Sequence, residues 1–430
     1  MPPTLARRTR LFRWTRRSLL GATALAGMAI AWDVATYDEQ VWLADYQRLK
    51  HDMAQGYANL DWIRTHRHVD LAALDARTTA ALTGAHSRLR AFLALRRFVR
   101  GFDDPHLRLE PRASAANAPA RAQANSVEAI ESQAVAAIAR CEDAGYSEGA
   151  HDFGFAFERV PGWVPLRGGD LPLGMIDDVG VLRIAQFGEQ RYVGACRKVF
   201  RAGMDERALQ LAVRAHQQQR LIESLSHLRQ AGARRLLVDL TGNGGGSEWV
   251  SEVIALMTDR TLARSAARIV GPRCDRSAVW RNEAACSVFA MTEPQQVLQG
   301  TGAWTAPVMI LVDGRTASAS EDFVAWLQQN GVATVIGETT LGAGCGYVDG
   351  GTRTSLRALS LDVVMPNCAR FLENGRNEIE GIAPDVPLAL TADDAPERLR
   401  TRLASLPRHA AAAGTVIRPP LPAPATGVRH

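Results

Sequence analysis

The chain has 430 residues, 47 % hydrophobic and 22 % charged, close to globular averages, which excludes wholesale disorder and a collagen-like repeat. Its longest apolar stretch, Leu19 to Ala31, is too short to span a bilayer comfortably, so a polytopic membrane protein is excluded as well. The formal charge of +5 sits at the front: Arg7, Arg8, Arg10, Arg13, Arg16 and Arg17 meet no acidic residue within 1–31, and removing those six charges leaves −1. A near-neutral body lacks the basic footprint that a nucleic-acid partner needs.

Residues 1–31 join those arginines to the apolar run and a small-residue cleavage signal, Ala29-Ile30-Ala31, and read as an export signal peptide. Thr15-Arg16-Arg17-Ser18-Leu19-Leu20 also fits a twin-arginine signal, with an uncleaved anchor helix as the minority reading. Export implies a periplasmic, oxidising location and no integral span once the signal is removed. The six cysteines then suit three disulfides, and local spacing favours Cys274–Cys286 and Cys345–Cys368, leaving Cys141–Cys196.

Residues 32–110 predict a helical N-terminal region, because Trp42, Tyr46 and Leu49, then Leu89, Phe92, Leu95 and Val99, recur at helical spacing. Residues 111–178 read as a linker and irregular insert, with Pro111–Ser126 aperiodic and a helix expected from about Val127 to Arg140. Across 179–393, strands over Val179–Phe187, Arg235–Leu240, Pro307–Val312 and Ala333–Gly337 alternate with helices near 205–230, 248–257 and 319–329, an α/β core. Residues 394–430 predict a C-terminal helix and a disordered Pro/Ala-rich tail.

Two strand-to-helix turns carry chemistry. Asp239-Leu240-Thr241-Gly242-Asn243-Gly244-Gly245-Gly246-Ser247 lets backbone N–H groups approach a ligand, yet it has neither the Lys-Ser/Thr pair of a P-loop nor GxGxxG spacing. Gly314-Arg315-Thr316-Ala317-Ser318-Ala319-Ser320-Glu321 would present a serine hydroxyl at the sheet edge beside a free N–H. Taken alone, its Ser-x-x-Glu is also a helix capping box. His66 and His68 could make a metal pair, but no third ligand is signalled, so no metal or other cofactor is expected.

In order along the chain, Asp239–Gly246, Thr316-Ala317-Ser318-Ala319-Ser320-Glu321, Val335-Ile336-Gly337-Glu338-Thr339-Thr340-Leu341-Gly342 and Ile379-Glu380-Gly381-Ile382-Ala383-Pro384-Asp385-Val386 resemble the tail-specific (C-terminal-processing) and tricorn-core serine peptidase superfamily. The match covers about 179–390, with Asp103-Asp104-Pro105-His106 extending it forward. The resemblance implies a crotonase-like β-α spiral core, peptide or protein substrates, and Ser318 as nucleophile. Tail-specific members use a lysine base where this chain has Ala343, and its only lysines, Lys50 and Lys198, lie far from that turn in sequence. Arginine stays protonated and cannot take the role.

The tricorn-like branch instead implies His106 as general base and Glu380 as its carboxylate partner, with Gly245 and Ala319 N–H groups as the oxyanion hole. Pro105 departs from members that place a serine before the histidine, leaving Asp103 or Asp104 as a polarising neighbour. No carboxylate-binding loop of a PDZ domain is legible between Leu107 and Asp178. Two other readings stay open: a non-catalytic binding or scaffold protein on the same core, and hydrolysis of a non-peptide ester or amide.

Overall fold

The computed structural model describes residues 25–112, 138–148, 154–166, 171–271, 274–289 and 295–406. Residues 1–24, most of Pro111–Ser126, the expected helix up to residue 137 and the tail from 407 lie outside the described residues. The expected end of that helix is corrected: 138–140 are not helical, because Arg140 is extended (φ −148°) where the chain enters the Cys141–Cys196 bridge. Residues 25–35, which contain Ala29-Ile30-Ala31, form an exposed helix. No helix among the described residues is long and apolar enough to cross a membrane.

Helices Glu39–Gly56, Leu60–His66, Leu71–Thr83 and Arg88–Arg100 build the N-terminal region. Asp38, Asp70 and Ser87 start three of them by accepting N–H bonds from the first turn, which otherwise lacks partners. Their apolar faces bury Tyr46, Leu49, Met53 and Phe98 in one cluster with Leu356, Val363, Met365 and Ile379 from the far end of the chain.

The strands, in chain order, are β1 (Arg108–Pro111), β2 (Trp163–Leu166), β3 (Leu173–Ile176), β4 (Val179–Arg183), β5 (Arg235–Asp239), β6 (Thr261–Ser265) and β7 (Arg268–Ile269). After them come β8 (Gln295–Gln299), β9 (Val308–Val312), β10 (Ala333–Gly337), β11 (Thr352–Leu356), β12 (Leu361–Met365), β13 (Cys368–Ala369) and β14 (Val386–Pro387). The central sheet has the order β14-β10-β9-β5-β4-β3-β2, parallel from β14 to β4 and antiparallel beyond. Its middle strands β5 and β9 are buried at every residue, as the central strands of a sheet covered on both faces should be.

The insert expected to be irregular contributes β2 and β3, which extend this sheet. Four residues each, with Pro165 in the edge strand and Gly174 leaving room for the Trp163 ring, they lack the alternation that flags a strand. β12 pairs with β1 and β11 in a separate antiparallel sheet. The three disulfides are Cys141–Cys196, Cys274–Cys286 and Cys345–Cys368.

Parallel register aligns the carboxyl ends of the middle strands: Asp239 faces Leu311, and Gly337 faces Val312. The turns that follow β5, β9 and β10 therefore leave the sheet at one edge, where ligands of open α/β sheets bind.

Candidate active site

Ser318 stands at the N-cap of helix Ala319–Gln329 with φ 58° and ψ −115°, a conformation a side-chain-bearing residue holds only when its surroundings impose it. Those surroundings are visible. Asp313 Oδ1 accepts from Gly242 N at 2.9 Å and Arg315 N at 3.1 Å, while Ala317 N donates to Asn243 O at 3.0 Å. The two glycine-bearing turns are thus tied together. Gly245 (φ +99°) completes the contact, since a Cβ there would lie 2.7 Å from Ala317 O and Ala319 N and 2.8 Å from Ser318 Cβ.

Glu321, one turn into the helix, does more than cap it. Its Oε2 accepts from Ser318 N at 2.8 Å, Ala343 N at 2.9 Å and Gly344 N at 3.0 Å, and its Oε1 accepts from Thr340 Oγ1 at 2.6 Å and Gly342 N at 2.7 Å. Burial pushes this carboxyl above the usual range and Glu378 adds to the rise, while the Thr340, Gly342 and Ser318 donors oppose it. Five donors and no acceptor suit the ionised carboxylate.

The turn that Glu321 gathers is the seat of His106. His106 Nδ1 lies 2.7 Å from Ala343 O, and the ring rests on Gly346, where a Cβ would come within 3.0 Å of Cε1 and Nε2. A carbonyl oxygen only accepts, so Nδ1 carries the proton of the neutral ring and Nε2 keeps its lone pair. Burial lowers the affinity of the imidazole for a second proton; Asp104 and the Ala343 bond oppose that shift, and Arg370 and Arg108 reinforce it. The main chain is fixed too: His106 N donates to Asp104 Oδ1 at 2.9 Å, and Tyr347 OH donates to His106 O. Asp104 Oδ2 in turn accepts from Tyr57 OH at 2.8 Å and Asn59 Nδ2 at 3.1 Å, so the N-terminal helices hold the loop. Asp104 therefore meets the backbone of His106 and not its ring.

Ser318 and His106 are brought to one site, joined through Glu321 and the 342–344 turn. Glu380 is not brought onto the imidazole. Its Oε1 accepts from Trp62 Nε1 at 3.0 Å and Arg67 Nε at 3.1 Å, and the Nδ1 position it was expected to fill belongs to Ala343 O. Arg67 also donates to Phe102 O at 3.2 Å and Asp103 O at 2.6 Å, so Glu380 braces the loop that leads to His106. Of the expected oxyanion donors, Ala319 N–H has no hydrogen-bond partner among the described residues, whereas Gly245 N–H is engaged by Asn243 Oδ1 at 2.9 Å. His66 stacks on Trp62 with ring centroids 3.5 Å apart, and no group of three metal-ligating side chains gathers among the described residues.

Sequence reading missed Glu321 beyond its capping role, Arg67, Arg370 and the Ala343 carbonyl. Only Glu321 had a signal, the Ser-x-x-Glu spacing; the others act through long-range or backbone contacts.

The chain resembles known proteins in part of its sequence and in its fold. A carboxyl-terminal-processing protease of Picosynechococcus sp. is 31 % identical over 125 residues, 29 % of this chain and 25 % of that protein, so the chain spans about a quarter of its relative. Mature CPAF complexed with lactacystin superposes with a TM-score of 0.54 at 14 % identity, over 85 % of this chain and 97 % of the other. A candidate peptidase from Parabacteroides merdae gives 0.53 at 15 %, over 84 % and 96 %. These two structures share the fold. With residues 178–388 matching the model of peptidase family S41, that segment of the chain belongs to the family.

Proposed function

We propose that the chain is an exported serine peptidase that hydrolyses peptide bonds through an acyl-enzyme on Ser318, with His106 as general base. The observation that carries this reading is the His106–Ala343 bond, which fixes the tautomer with Nε2 free on the turn that shares Glu321 with Ser318. In the first half-reaction Ser318 Oγ attacks the scissile carbonyl carbon while its proton passes to Nε2. Collapse of the tetrahedral intermediate breaks the C–N bond, and the leaving amine takes that proton. Water then repeats the sequence on the ester, giving its proton to Nε2 and releasing the carboxylic acid and free Ser318.

Ala319 N–H supplies one oxyanion donor, and Gly245 N–H supplies the second once Asn243 Oδ1 releases it; losing one such donor costs about 3–4 kcal/mol. Lowered basicity keeps the imidazole neutral at pH 7. The third position of the triad belongs to the Ala343 carbonyl, with Glu380 supporting the loop through Arg67. Three disulfides support export to an oxidising, periplasmic compartment.

The engaged Gly245 N–H favours one competing reading, a scaffold that has lost turnover. A fluorophosphonate probe separates the two. Wild type should label, Ser318→Ala should not, and His106→Ala should label far more slowly; a folded wild type that stays unlabelled and cleaves neither casein nor model esters would favour the scaffold. Faster turnover of esters than of peptides in a substrate panel would redirect the substrate class without changing the nucleophile.

A further inference from the structure

We infer that Arg370 is a positioning residue that locks the nucleophile turn to the seat of the histidine; the inference deepens the peptidase reading and rests on it. One nitrogen, Arg370 Nη2, donates to Ser318 O and Gly344 O, both at 2.9 Å. Glu321 gathers Ser318 N, Ala343 N and Gly344 N from the same two turns. A carboxylate thus collects their N–H groups while a guanidinium collects their C=O groups. Two turns held at both ends of their peptide dipoles have no freedom to slide past each other.

The arginine is itself fixed from behind. Its Nε donates to Glu378 Oε2 at 2.6 Å, Glu378 Oε1 accepts from Arg264, and Arg264 Nη1 donates to Asp322 Oδ1 at 2.8 Å. Asp322 lies on helix Ala319–Gln329, so the network closes on the element that carries Ser318. Burial alone would raise the Glu378 carboxyl, yet Arg370 and Arg264 hold it below the usual range, so the network stays ionised. Arg370 comes from the other side, directly after β13, whose Cys368 is bridged to Cys345 beside Gly344.

A charge that only stabilised the fold would leave the chemistry of His106 unchanged. The charged and titratable groups around that imidazole are Asp104, bonded to its main chain, and Arg108 from its own segment, Tyr347 from the turn beneath and Arg370 just past β13. Removing Arg370 takes away one of the cations that disfavour imidazolium. The base should then hold a proton to higher pH.

The test measures kcat, KM and the pH dependence of kcat/KM on a peptide that wild type cleaves, with thermal melting by circular dichroism. Arg370→Met should lower kcat about 100-fold with KM changed less than about threefold, the cost expected of misplacement near 1 Å. Its acid limb should move up by about half a pH unit or more. Arg370→Lys, which keeps a charged donor, should recover at least about tenfold of the loss. If the unpaired Glu378 unfolds Arg370→Met, the Arg370→Met/Glu378→Gln pair removes one buried charge of each sign and should show the same kinetic defect. A folded variant of either kind with wild-type kcat, or with lowered kcat, an unmoved acid limb and no rescue by lysine, overturns the inference while the peptidase reading stands. A wild type that neither labels nor cleaves overturns both.

Discussion

The two halves of the site are built in opposite ways. Ser318 is placed largely by its own strand, turn and helix start, with the neighbouring turn of the same sheet edge packed against it and Arg370 the one distant side chain on its backbone. His106 is made at long range. Tyr57 and Asn59 hold Asp104, Arg67 holds Phe102 and Asp103, and Ala343, Gly346 and Tyr347, more than two hundred positions later, receive the ring and its carbonyl. The serine's turn needs mostly one sheet edge, whereas the seat of the histidine needs two distant regions docked to within a hydrogen bond.

The comparison breaks first at the reacting atoms. Ser318→Ala should cut hydrolysis by at least about 10⁴-fold and His106→Ala by about 10³–10⁴-fold, with melting temperatures unchanged within a few degrees; equal rates for His106→Ala and wild type would mean that the docked half contributes nothing. Gly346→Ala attacks only the seat. Its Cβ would come 3.0 Å from the His106 ring and its φ of +75° suits glycine, so activity should fall about 100-fold and stability by about 1–2 kcal/mol, read from hydrolysis and chemical denaturation together.

Smaller effects sharpen the picture. A base is active when unprotonated, and burial lowers the pKa of His106, so the acid limb of kcat/KM should be centred below 6.5. A limb centred above 6.5 would show an imidazole wetter than the one described. Glu380→Gln keeps an oxygen acceptor for Trp62 and Arg67, so turnover should change less than about threefold, where a carboxylate acting on the imidazole would lose far more.

Legibility in the sequence follows the same division. The four core strands, the helices between them and the serine on its strand-to-helix turn were readable because each is a short-range pattern of apolar runs and glycine turns. His106 was singled out by its place in an ordered set of motifs. Its ring partner was not, because a backbone carbonyl has no residue identity: Ala343 looked like the loss of a base, yet its oxygen is what the His106 ring meets. Glu380 was misassigned for a related reason, since charge type and motif order say nothing of whether Arg67 or an imidazole reaches it first. The strands of the insert escaped because Pro165 and Gly174 erase the alternation that four residues can barely display.

The hydrophobic cluster shared by the N-terminal helices and residues 356–379 bears on any dissection of the protein. The family-model match begins at residue 178, but a fragment cut there would bare Leu356, Val363, Met365 and Ile379 to water and shed His106 with the discarded piece. The edge of that match is not a folding boundary, and a shortened version would be sticky.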